Sequence, residues 1–76
     1  MIRKHQRVVF TFHTTTDAMA AESLCKGLGG RMIPVPGEIT ADCGLAWCAA
    51  PEQEEALMKA LRTAAIPVQG VYRLMI

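Results

Sequence analysis

The chain has 76 residues, 51% of them apolar, and eight basic residues against seven acidic leave a net charge of +1. That length suits one domain of a size at which a single core is only marginally stabilising, and the apolar content excludes disorder. The balanced charge gives no electrostatic footprint for nucleic acid or an anionic membrane surface, and no apolar run approaches the ~20 residues that span a bilayer.

Residues 1–6 read as a flexible, basic start to a single domain spanning 1–76, without the apolar core and cleavage site of a secretory signal. Arg7 to Phe12 is β-branched and aromatic and reads as a first strand. His13, Thr14, Thr15, Thr16 and Asp17 then supply turn and N-cap candidates. A helix is expected from there to about Leu28, because Ala21, Leu24, Cys25 and Leu28 recur at helical spacing. Gly27, Gly29 and Gly30 offer ways to stop it. Arg31 to Val35 reads as a second strand, which Pro34 and Pro36 confine to a sheet edge. After a polar loop, Leu45 to Ala49 forms a short buried strand. Pro51 at a first helical position, with Glu52, Glu54 and Glu55 following, opens a second helix. Its stripe is Leu57, Ala60, Leu61 and Ala64; Ile66-Pro67 ends it, and Val68 to Leu74 gives a last strand.

The order β-α-β-β-α-β predicts an α+β fold, the ferredoxin-like split βαβ. Such a fold has a four-stranded antiparallel sheet with two helices on one face. In it the end of the first strand, the start of the first helix and the turn between strands two and three share one end of the sheet. The loop from Gly37 to Gly44 should therefore lie beside His13 and the Thr14–Thr16 helix opening. Cys43 ends that loop, backed by Gly44. Free backbone N–H groups and the positive dipole end of a helix favour an anion, and a thiolate is such an anion and the reactive form of cysteine. His13 is a candidate proton acceptor or positive charge for it. Gly44 leaves the sulfur open to approach. Glu38 and Asp42 act in the opposite sense, because carboxylates oppose ionisation of a nearby thiol. The plain alternative makes Cys43 a small apolar residue tucked under its loop.

Three cysteines without a CxxC or CxH pair fit neither a disulfide scaffold nor a zinc site; reduced thiols in a cytoplasmic protein fit better, with no metal and no cofactor. Cys48, ~16 Å of extended chain beyond Cys43, and Cys25, on the helix stripe, read as core thiols. Trp47 and Tyr72 read as core or interface anchors, and Met19, Met32, Met58 and Met75 as scattered core fillers. A metal chaperone of this fold class would carry CxxC where the first strand meets the first helix, and this chain has Phe12-His13-Thr14-Thr15 there.

The run Pro34-Val35-Pro36, then Glu38-Ile39, then Cys43-Gly44-Leu45-Ala46, resembles the bacterial DUF3343 family, the putative Se/S carrier protein-like domains. Where members carry a basic residue after the second proline, and often serines further on, this chain has Gly37, Ala41 and Asp42. The resemblance implies a sulfur or selenium carrier rather than a turnover enzyme. Cys43 would hold a persulfide or selenopersulfide taken from a donor protein, for example a cysteine desulfurase, and surrender it to an acceptor. His13 and the Thr14–Thr16 backbone would support the sulfur, Pro34 and Pro36 would frame the loop, and Glu38 and Asp42 would orient a partner's basic residue. The alternative is a non-catalytic interaction or regulatory module that forms a homodimer through its sheet face, with Cys43 structural.

Overall fold

The computed structural model describes residues 4–76. In chain order the elements are β1 (Gln6–Thr11), α1 (Thr15–Cys25), β2 (Arg31–Pro34), β3 (Leu45–Ala49), α2 (Glu54–Thr63) and β4 (Gly70–Met75). A single 3₁₀ turn, Pro51–Gln53, leads into α2. The strands form one antiparallel sheet in the order β2-β3-β1-β4. This is the ferredoxin-like α+β arrangement, with the proline-bearing β2 at an edge as its missing N–H requires.

Side chains alternate between the two faces of the sheet. Val8 and Phe10 of β1 and Trp47 and Ala49 of β3 join Ala18, Ala21 and Cys25 of α1 and Leu57 and Leu61 of α2 in the main core. Both helices therefore lie on this face. Val9, Ala46 and Cys48 point the other way and are covered by Ile39 from the loop between β2 and β3, with Ile33, Val35, Ala41 and Leu74 around them. The sheet face that carries no helix is thus partly closed by the chain's own loop.

Trp47 ties the main core to the α1–β2 connection, its indole N–H donating to the Gly29 carbonyl at 3.1 Å. Gly29 and Gly30 both have positive φ. At Gly30 a Cβ would lie 2.6 Å from both the Cys48 carbonyl oxygen and Trp47 Nε1, so only glycine lets the backbone pass beneath the indole. Gln53 fastens this corner to the helix entry, donating to the Leu28 carbonyl at 2.8 Å and accepting from the Ala50 N–H at 3.3 Å.

Several expectations need correcting. The inner row of α1 is Ala18, Ala21 and Cys25; Leu24 and Leu28 are 36% and 45% exposed. The helix ends at Cys25, and the turn that follows carries Leu28 outward. Ala64 likewise lies past the end of α2 and is exposed. Met19 and Met75 are surface residues, whereas Met32 and Met58 pack against the core. Tyr72 stands partly exposed on the edge strand β4. Of the basic lead-in, residues 1–3 lie outside the described residues; His5 exchanges two backbone hydrogen bonds with Ile76, and Gln6 opens β1.

The second helix closes on a Schellman arrangement, with Ala65 N–H donating to the Arg62 carbonyl and Ile66 N–H to Leu61. Ala65 holds the left-handed position at φ 57° where glycine is usual. Ala65→Gly should therefore raise the denaturant midpoint, by about 0.5–1 kcal/mol after the entropy of the unfolded glycine is offset. Gly30→Ala should cost more than about 2 kcal/mol through strain and overpacking together.

Candidate functional site

The end of the sheet where β1 stops gathers three connections. One is His13 and Thr14 leading into α1, another is the loop from Val35 to Gly44, and the third is Gln69 leading into β4. Thr14 caps α1 in extended geometry, its hydroxyl oxygen accepting the Asp17 N–H at 3.1 Å. Threonine suits this position because its side chain replaces a missing intrahelical acceptor. Thr15 opens the helix proper, and Thr16 is exposed beside it.

The loop leaves β2 at Pro34, turns at Pro36, whose carbonyl accepts the Ile39 N–H at 3.0 Å, and closes where Val35 N–H donates to the Gly44 carbonyl at 3.0 Å. Glu38 projects at the exposed tip of the turn. Ile39 goes down onto the face without helices, and Cys43 onto the helical face. Between them the chain passes round the end of the sheet.

Cys43 is held closely. Its N–H donates to the Phe12 carbonyl at 3.3 Å. Its Sγ accepts the Leu45 N–H at 3.4 Å and lies 3.8 Å from the Thr15 hydroxyl. The sulfur thus meets the first residue of α1, where unpaired N–H groups concentrate positive potential. The residue is 4% exposed. A reagent or protein in solution therefore reaches this thiol only when the loop opens.

His13 is placed at the same end, but its ring is joined to Asp42: Nδ1 lies 3.2 Å from Oδ2, both groups being well exposed. No hydrogen bond links the ring to Cys43 Sγ among the described residues. Gly44 is exposed, and a Cβ built on it meets nothing within 4 Å. It therefore neither shields the sulfur nor is required by the turn. Thr14, Thr15, Asp42, Cys43 and Gly44 are brought together, while Pro34, Glu38 and Thr16 stand at the periphery.

Sequence reasoning missed Gln69. Its N–H donates to the Thr11 carbonyl at 2.8 Å, and its side-chain oxygen accepts the Asp42 N–H at 3.0 Å. The signal was available, since the topology that brings the β2–β3 loop to this end brings the entry to β4 there too. The Leu45 N–H donor to sulfur is a main-chain group and leaves no mark in residue types.

Residues 7–73 match the family model described as Putative Se/S carrier protein-like. The chain belongs to this family. No curated protein and no solved structure matches it. No helix among the described residues is long and apolar enough to cross a membrane.

The other thiols of this family member differ from Cys43. Cys25 is fully buried in the main core, and burial pushes its thiol above the ordinary range. The unfolded chain releases that proton first as pH rises, so Cys25 should make stability fall above about pH 8.5, an effect removed in Cys25→Ala. Under native conditions Cys25 should resist alkylation. Gln69→Ala should quicken alkylation of Cys43 about 2- to 10-fold, the opening factor for a hydrogen bond worth about 0.5–1.5 kcal/mol. Peptide mapping after timed iodoacetamide treatment reads both thiols. An unchanged Cys43 rate would mean the Gln69 tie does not hold the loop.

Proposed function

We propose that this family member carries sulfur or selenium in the cytoplasm as a persulfide or selenopersulfide on Cys43. One observation carries the reading. The single thiol of the Pro36–Gly44 loop sits against the start of α1 with a backbone N–H aimed at its sulfur and a hydroxyl beside it. These groups can stabilise a sulfur anion, and a terminal persulfide sulfur extends that anion by one atom.

Loading is a thiol exchange. The Cys43 thiolate attacks the terminal sulfur of a donor protein's persulfide, as on a cysteine desulfurase. A new sulfur–sulfur bond forms on Cys43, the donor's own sulfur–sulfur bond breaks, and the donor leaves as a thiolate. The proton of the donor persulfide stays with the transferred sulfur, and no net oxidation or reduction occurs. Unloading repeats the step, with an acceptor nucleophile attacking the terminal atom and Cys43 leaving. A selenium atom in the terminal position follows the same course.

The burial of Cys43 assigns a role to the partner. Docking must open the loop, and the exposed polar groups there give a partner its handles: Glu38 at the turn and the His13–Asp42 pair. On this reading His13 positions Asp42 and so the loop, rather than touching the sulfur.

Intact-protein mass spectrometry after incubation with a cysteine desulfurase and cysteine tests the proposal. Wild type should gain a single sulfur that reductant removes, and Cys43→Ser should gain none. Thr15→Val should load several-fold more slowly while retaining wild-type stability. An adduct that persists in Cys43→Ser, or no adduct on folded wild type with an active donor, would overturn the assignment.

A further inference from the structure

The end of the sheet opposite Cys43 carries a second feature. Cys48 of β3 lies between Arg31 of β2 and Val9 of β1 in register, and Arg7 precedes Val9 by two residues. Directly opposed residues point to one side of a sheet, as do residues two apart on a strand. Arg7, Cys48 and Arg31 therefore share a face. They line one cleft of about 380 Å³ together with Gly30, Ala49, Ala50 and Gln53, a volume within the range of small-molecule sites.

The charge in this cleft is of one sign. No carboxylate lines it. All seven Asp and Glu residues lie within the described part of the chain, and the ion pairs there are His13–Asp42 and Arg73–Glu54. Arg7 and Arg31 take part in neither. Glu52, at the nearby helix entry, is exposed and does not line the cleft. Gly30 and Ala50 leave the floor without bulk, and Arg7 is half-buried against it. Two guanidiniums lining one opening repel each other unless an anion lies between them. A planar guanidinium matches two oxygens of an oxyanion at once.

We propose that the Arg7–Arg31 cleft binds a small oxyanion. The proposal is independent of the chemistry assigned to Cys43, because it rests on different residues and involves no covalent step.

Inorganic phosphate is the probe. Amide resonances of the ¹⁵N-labelled protein are followed during a phosphate titration, with sodium chloride at matched ionic strength as control. Saturable, millimolar shifts at Gly30, Arg31 and Cys48 are expected with phosphate and not with chloride. Arg31→Gln and Arg7→Gln should each weaken the apparent affinity by about tenfold or more, and Arg31→Lys by less than Arg31→Gln. The spectra themselves report whether each variant is folded, and with Arg31 on the surface at least one of the pair should be. Shifts that chloride reproduces, that do not saturate, or that persist at wild-type strength in both glutamine variants would overturn the proposal.

Discussion

The structure depends on how the chain gets from β2 to β3. The two strands are antiparallel neighbours, and the loop joining them has to end one residue from where β3 begins. Instead of projecting as a simple hairpin turn, it straddles the end of the sheet, burying Ile39 on one face and Cys43 on the other. Each anchor serves a different layer. Ile39 covers Val9, Ala46 and Cys48, which no helix reaches. Cys43 completes the main core beside Phe12 and Ala18 and is stitched to the Phe12 carbonyl. A domain this small gains from every apolar side chain it buries, and the loop partly closes the helix-free face while setting a thiol against a helix start.

How much of this was legible depends on which physical rule wrote each feature. Strand β3 could be read to the residue, because Leu45 to Ala49 is an unbroken apolar run bounded by Gly44 and Pro51. The order of the elements followed from periodicity, and the order fixed the end of the sheet at which Cys43 meets α1. Helix faces were less legible. A stripe through Leu24 and Leu28 satisfies the spacing rule, yet the buried row of α1 is Ala18, Ala21 and Cys25. Register and backbone contacts were not legible at all. Nothing in residue types announces that Ile39 crosses to the far face, that the Leu45 N–H reaches the sulfur, or that His13 prefers Asp42 to Cys43. These depend on distances set only after the sheet closes.

The three cysteines show how one side chain takes three characters from its surroundings. Cys25 stands on the inner row of a helix with apolar neighbours and no donor, and burial keeps it neutral. Cys48 is buried too, but under a loop residue and beside a one-signed cleft. Cys43 is as buried as Cys48, yet two polar groups face its sulfur. Burial alone therefore does not distinguish the three thiols. What separates them is whether the surrounding groups would still have a use if the sulfur carried charge.

For a carrier this combination has a consequence in energies. Releasing Cys43 would break its tie to Phe12, the Leu45 N–H tie to its sulfur, the Val35–Gly44 tie and the Gln69–Asp42 tie, each worth about 0.5–1.5 kcal/mol, while the exposed His13–Asp42 pair contributes almost nothing. Adding the burial of one small side chain, opening at Cys43 would cost on the order of 3–7 kcal/mol, an open population below roughly 1%. Lifting Ile39 as well would cost about 1.5–3 kcal/mol more. The cheaper motion pivots the Asp42–Gly44 end outward while Ile39 stays seated, so the loop opens as a flap and the sheet face below it stays covered. A partner that grips the flap's polar groups needs to supply only that smaller difference. With the loop closed the sulfur is shielded from solvent, and on the proposed function that would protect a bound persulfide from oxidants.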